Sequence, residues 1–158
     1  MEDDKKKTIL LVDDDPVNIQ VLSILLGAKY NIMVATSGAQ ALQLATEQPD
    51  LILLDIIMPE MDGYEVCRRL KSAPAISGIP VIFVTGMNDP EDEIKGLSLG
   101  AVDYFIKPLH AAITLARIKN HLELHQFRDE LQEMNRNLKQ QVRNEAIQNT
   151  NSSLNSLL

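Results

Sequence analysis

Five short, almost wholly apolar runs lie within the first 109 residues, and each gives way to a segment of helical periodicity. The runs cover residues 9–12, 32–35, 51–54, 81–84 and, less purely, 102–106. Apolar residues at helical spacing fill 17–26, 39–45, 64–70 and 91–99, and a long helical pattern starts at Leu109 and passes residue 140. Runs of four or five residues are too short for helices, and apolar side chains at every position mean burial on both faces. A parallel sheet covered by helices on both sides provides that burial. The spacing therefore predicts an α/β fold, a doubly wound five-stranded parallel sheet with an extended C-terminal helix. Helix starts are marked by Asp15-Pro16 and Asp89-Pro90, a cap followed by a residue that needs no N–H partner. Ser37 with Gln40, and Asp62 with Glu65, have capping-box spacing.

Charge separates the chain into two parts. Residues 1–109 carry net −8 and residues 110–158 carry net +1, which places a boundary near Pro108. The overall charge of −7 argues against direct nucleic-acid binding, because phosphate backbones require clustered Lys and Arg. Cys67 is the only cysteine, so no disulfide forms within the chain and a reducing cytoplasm fits. It reads as a small buried residue of the third helix. The first seven residues, Met-Glu-Asp-Asp-Lys-Lys-Lys, hold no apolar run that could act as a signal peptide or membrane anchor. A cytoplasmic protein with no membrane association is expected.

In an open parallel sheet, ligands bind beyond the carboxyl ends of the strands. Asp13, Asp14 and Asp15 follow the first apolar run, Asp55 the third, Thr85-Gly86 the fourth and Lys107-Pro108 the fifth. Carboxylates brought this close repel unless a cation joins them. Hard oxygen donors suit Mg²⁺, which keeps several waters and is often completed by phosphate oxygens. A hydroxyl and an ammonium opposite would face an anion. Metal, anion and central carboxylate together describe phosphoryl transfer to Asp55, in which the protein positions groups and neutralises charge.

These residues resemble the receiver domains of two-component response regulators, the chemotaxis regulators included. The stretches that carry the resemblance are Ile9-Leu-Leu-Val-Asp-Asp-Asp-Pro16, Leu51-Ile-Leu-Leu-Asp-Ile-Ile-Met-Pro-Glu-Met-Asp-Gly63, Pro80-Val-Ile-Phe-Val-Thr-Gly86 and Gly100-Ala-Val-Asp-Tyr-Phe-Ile-Lys-Pro108. They agree in order and spacing over about residues 7–120. The resemblance implies a flavodoxin-like receiver fold with Asp55 as phosphoacceptor. It implies Mg²⁺ held by Asp14, Asp55 and the backbone carbonyl of Ile57, with Asp13 acting directly or through water, and Lys107 on the phosphoryl group. It also implies Thr85 as the switch hydroxyl, Tyr104 as the aromatic whose rotamer follows Thr85, and a cis Lys107–Pro108 bond. An ordinary half-buried strand residue is the other reading of Tyr104.

Beyond residue 120 the pattern changes. Leu124, Phe127, Leu131, Met134 and Leu138 are spaced 3, 4, 3 and 4 apart, a coiled-coil seam with leucines at a and Phe127 and Met134 at d. Glu123 at g and Arg128 at e would pair across a parallel homodimer. A single amphipathic helix docked on another domain is the alternative. The expected organisation is a receiver domain over 1–120, a helical extension over 121–148 and a disordered Asn/Ser-rich tail over 149–158. His121 and His125 sit at i, i+4, with no third metal ligand in view and without the acidic neighbour or proline of a kinase phosphoacceptor box. They read as solvated helix positions.

The expected function is a phosphorylation-dependent switch that takes phosphate from a histidine kinase or phosphotransfer protein and passes the change through the fourth helix, fifth strand and last helix. Its catalysis would be limited to self-phosphorylation and hydrolysis of its own aspartyl phosphate. A phosphatase-type hydrolase would need a second Asp where Ile57 stands. A pure interaction module would not need the intact set of Asp13, Asp14, Asp55, Thr85 and Lys107. No DNA-binding, cyclase or phosphodiesterase motif follows residue 120, so the chain could also be the receiver segment of a protein with a C-terminal cyclic-dinucleotide, phosphatase or kinase output module.

Overall fold

The computed structural model describes residues 5–158. Strands β1 (Thr8–Val12), β2 (Asn31–Ala35), β3 (Leu51–Leu54), β4 (Val81–Thr85) and β5 (Asp103–Ile106) alternate with helices α1 (Pro16–Leu26), α2 (Gly38–Ala45), α3 (Gly63–Ser72), α4 (Pro90–Ser98) and α5 (Ala111–Leu157). All strand pairs are parallel, and the order across the sheet is β2-β1-β3-β4-β5. The doubly wound five-stranded sheet expected from the apolar runs is the one observed. The order reverses between β1 and β3, so Asp13 and Asp55 leave neighbouring central strands at the topological switch point.

Side-chain alternation explains why the runs are apolar throughout. Leu10, Val12, Ile52, Leu54, Val81 and Phe83 face one layer, where they pack with Val66, Cys67 and Leu70 of α3. Ile9, Leu11, Leu51, Leu53, Ile82 and Val84 face the other, with Leu22 and Leu26 of α1 and Ile118 and Leu122 of α5. Each such aliphatic side chain contributes about 1.5–3 kcal/mol of transfer free energy on full burial. A polar residue at any of these strand positions would therefore weaken one layer.

The caps form as the residue types require. Asp15, Ser37, Asp62 and Asp89 accept from the amides of Val17, Gln40, Glu65 and Glu91. Neither capping box closes, however. The Gln40 carboxamide oxygen accepts from Thr36 N–H rather than Ser37 N–H, and Glu65 turns outward to Arg68 and Arg69. Those two guanidiniums hold the Glu65 carboxyl down at a pKa of about 2.

Gly63 is fixed by close approach. A Cβ there would lie 2.1 Å from the Asp55 carbonyl oxygen and 2.7 Å from Ile56 Cα, both backbone atoms that cannot give way. Its N–H donates to the Ile56 carbonyl at 2.7 Å. The start of α3 is thus laid directly against the backbone that carries Asp55.

The chain divides into two units, one ending at Leu122 and the other spanning Glu123–Leu158, so the division falls two residues past the expected boundary at 120. In the second unit Leu124, Phe127, Leu131, Met134 and Leu138 are all exposed, between 57% and 66%. Residues 149–158 differ from the expected disordered tail, because α5 continues to Leu157. Once a helix is nucleated, each further residue adds a hydrogen bond. The polar side chains here fold back on their own helix, Thr150 Oγ1 donating to the Ala146 carbonyl and Ser156 Oγ to that of Ser153, each at 2.9 Å.

Candidate functional site

The parallel register brings the site together. Val12 is level with Leu54, so the next residues, Asp13 and Asp55, emerge side by side. Asp55 N–H donates to the Val12 carbonyl at 2.9 Å, and Asp13 N–H to the Ala35 carbonyl at 3.2 Å. Thr85 closes β4, and Lys107 N–H donates to its carbonyl at 2.8 Å. The Lys107–Pro108 bond is cis.

Asp13, Asp55 and Thr85 are buried, whereas Asp14 is exposed. Oδ1 of Asp55 accepts from Ile56 N–H at 2.8 Å, and Oδ1 of Asp13 from Asp15 N–H at 2.9 Å. Each carboxylate is thereby oriented by a backbone amide, and the Oδ2 atoms turn to Lys107. Its Nζ lies 3.1 Å from Asp13 Oδ2 and 3.9 Å from Asp55 Oδ2. Burial, and then the charge of Asp13, push the Asp55 carboxyl above the usual carboxylate range, against the pull of Lys107 and of the Ile56 and Ile57 amides. Among the described residues, Lys107 is the ammonium that touches this pair of carboxylates, and its pull does not outweigh burial and the charge of Asp13.

Ligand oxygens of Asp13, Asp14 and Asp55 all lie within 4.8 Å of one another. Two unit charges at that separation repel by roughly 3–4 kcal/mol at an effective dielectric constant near 20. An all-oxygen donor set with one solvent-facing member fits a small hard divalent cation that retains part of its water shell. Ile57, whose side chain is exposed, stands two residues past Asp55 and could offer only its carbonyl.

Thr85 is fully buried, and its Oγ1 accepts from Met87 N–H at 3.4 Å. Tyr104 is 4% exposed rather than half-buried, with its hydroxyl donating to the Met87 carbonyl at 2.8 Å and its ring tilted against Phe83. Burial raises its phenol to a pKa of about 12, so it is a donor at all ordinary pH. The ring is already inside, and the hydroxyl and ring expected to move together are joined through Met87. Sequence reasoning missed that joint, because the bonding atoms are backbone groups that carry no residue signature.

The expected solvated reading of the two histidines is corrected. His121 Nε2 lies 2.9 Å from Asp103 Oδ2, with its side chain 20% exposed, and His125 Nε2 lies 3.3 Å from Asp129 Oδ2. The Asp103–His121 pair spans 18 residues and became visible only when α5 was laid on β5.

Fold and site define a phosphoryl-receiver class of signalling domain, and comparison places the chain within it. Residues 9–119 match the family described as response regulator receiver domain, and the chain belongs to that family. A Vibrio cholerae protein named "Probable cyclic di-GMP phosphodiesterase" is 46% identical over 90% of this chain and 32% of its own length. Response regulator PleD of Caulobacter vibrioides is 39% identical over 79% of this chain and 28% of its own length. The chain thus spans about a third of the length of these relatives. Among solved structures, the signal receiver domain of a signal transduction histidine kinase from Syntrophus aciditrophicus is 36% identical with a TM-score of 0.68, over 74% of this chain and 90% of that one. A CheY-like response regulator receiver domain protein from Methanospirillum hungatei is 29% identical with a TM-score of 0.71, over 78% and 99%.

The raised Asp55 pKa has a stability consequence. The folded state favours the protonated carboxyl, so this group's contribution is fully present below the unfolded value of about 3.9 and is lost as pH rises through the folded value. In chelator at pH 7.5, Asp55→Asn should melt several degrees above the parent, with the gap closing toward pH 4 and on addition of Mg²⁺ to the parent. Equal melting curves at both pH values would show that the carboxylate cluster carries no strain.

Proposed function

We propose that the chain is a phosphorylation-dependent switch of a two-component system in which Asp55 accepts the phosphoryl group. The observation that carries this reading is the placement of Asp55 Oδ2 against Lys107 Nζ within a cluster of three converging carboxylates. The donor is a histidine kinase or phosphotransfer protein. An Asp55 oxygen attacks phosphorus, the bond to the donor's imidazole nitrogen breaks with its electron pair left on nitrogen, and an acyl phosphate forms. Mg²⁺, held by Asp13, Asp14, Asp55 and the Ile57 carbonyl, would supply charge neutralisation to the carboxylates and the phosphoryl oxygens. Lys107 is within reach of the same oxygens, and exchange of its Asp13 contact for the phosphoryl group offsets the new negative charge. Thr85 Oγ1 donates to a phosphoryl oxygen and so changes its bond with the Met87 amide. Met87 in turn holds Tyr104. The chain's own chemistry is limited to this transfer and to hydrolysis of the acyl phosphate, in a cytoplasmic setting.

The second reading concerns what the switch controls. The similarity to the cyclic di-GMP phosphodiesterase-named protein covers only about a third of that protein. That relation supports a receiver segment that governs an output enzyme acting on a cyclic dinucleotide. In either case the exposed seam Leu124, Phe127, Leu131, Met134 and Leu138 is read as the contact of a parallel homodimer, with Glu123 and Arg128 paired across it.

Two measurements test this reading. With acetyl phosphate or phosphoramidate and Mg²⁺, intact-mass spectrometry should show one added phosphoryl group on the parent. Asp55→Asn should show none, and Asp14→Ala little at any Mg²⁺ concentration; metal-independent labelling, or equal labelling of the Asn variant, contradicts the assignment. Light scattering at tens of micromolar should give a dimer for the chain and a monomer after truncation at Asn120, and a monomeric full chain removes the coiled-coil reading.

A further inference from the structure

Asp103 opens β5 with both carboxylate oxygens engaged. Oδ1 accepts from the Tyr104 N–H at 2.8 Å. Oδ2 lies 2.9 Å from His121 Nε2 and 3.8 Å from Arg117 Nε, and the Arg117 guanidinium also stands over the Phe105 ring at 5.8 Å. His121 belongs to the last turn of α5 before Leu122, where the first unit ends.

Traced in the other direction, the contacts reach the site. Tyr104 donates through its hydroxyl to the Met87 carbonyl, and the Met87 N–H donates to Thr85 Oγ1. Direct hydrogen bonds thus connect Thr85, Met87, Tyr104, Asp103 and His121 without a break. Arg117 adds a longer contact to the same carboxylate, and Ile118 and Leu122 hold this turn to the sheet by apolar packing. Apolar packing is non-directional and tolerates small rotations of a helix. A hydrogen bond to a carboxylate is short and directional and weakens steeply with misalignment. At 2.9 Å, the Asp103–His121 contact is therefore well suited to sense a small movement of β5.

We propose that the Asp103–His121 pair is the positioning link through which the state of the Asp55 site sets how the turn of α5 ending at Leu122 seats on β5. The inference rests on Asp55 as phosphoacceptor and Thr85 as its hydroxyl partner. When Thr85 turns to a phosphoryl oxygen, the Met87 amide loses its acceptor and the segment 85–87 is free to shift. Tyr104 follows the Met87 carbonyl, and because the Tyr104 amide is held by Asp103 Oδ1, the displacement reorients the carboxylate that His121 binds. His121 touches no reacting atom and is a positioning residue only.

Hydrogen–deuterium exchange on the full chain, with and without phosphoramidate and Mg²⁺, tests the link, with labelling followed in parallel by intact mass. In the parent, exchange across residues 111–131 should change about fivefold on labelling, a modest coupling. His121→Ala and Asp103→Asn should label to the parent's extent yet lose that difference, and His121→Gln, which keeps a donor, should retain most of it. A merely structural role would raise exchange equally in both states and leave the difference intact, which overturns the proposal, as does a labelled parent with no change over 111–131. Failure of the parent to label would instead remove the phosphoacceptor reading, and the link with it.

Discussion

The interaction on which this structure turns is the repulsion among Asp13, Asp14 and Asp55 at the carboxyl end of the two central strands. Their ligand oxygens converge within 4.8 Å, and two of the three side chains are buried. Only a rigid frame can hold like charges this way, and the frame is the doubly covered sheet beneath them. Pairing of Val12 with Leu54 sets the two aspartates side by side, and Gly63 lets α3 press on the Asp55 backbone. Amides of Ile56 and Asp15 then fix one oxygen of each carboxylate. The energy of burying ten or more aliphatic side chains in each layer is what keeps the charges from separating.

A site that carries unneutralised charge responds strongly to anything that changes that charge. A divalent cation relieves it, and a phosphoryl group adds roughly two negative charges with new acceptor oxygens. The groups that must adjust are Lys107, shared between two carboxylates, and Thr85, bonded to a loop amide. Thr85 ends β4 and Lys107 directly follows β5, at one side of the sheet, and the bonded groups beyond Thr85 lead to α5. Among the described residues, hydrogen bonds run from Thr85 through Met87, Tyr104 and Asp103 to His121 on α5.

Much of this was legible in the residues. Short all-apolar runs alternating with helical patterns point to parallel strands covered on both faces, so the doubly wound sheet, and the strand that each site residue follows, were legible from pattern. Caps at Asp15, Ser37, Asp62 and Asp89 were legible because a side-chain acceptor at a helix start has few other uses. What escaped was set by packing or by backbone atoms. Neither the bond from Tyr104 to the Met87 carbonyl nor the Asp103–His121 pair has a spacing signature, since each joins elements through tertiary approach. The tail over 149–158 was misjudged because composition weighs each Asn and Ser singly, whereas a helix already running extends through them.

The account stands or falls on which carboxylate bears the phosphoryl group. Borohydride reduces an acyl phosphate to the corresponding alcohol, so it converts a phosphorylated aspartate to homoserine and leaves a free carboxylate untouched. After phosphoramidate and Mg²⁺ treatment, reduction and peptide sequencing by mass spectrometry should place homoserine at position 55 and nowhere else. Homoserine at position 13 or 14, or none in a protein that has gained phosphoryl mass, would contradict the central role assigned to Asp55.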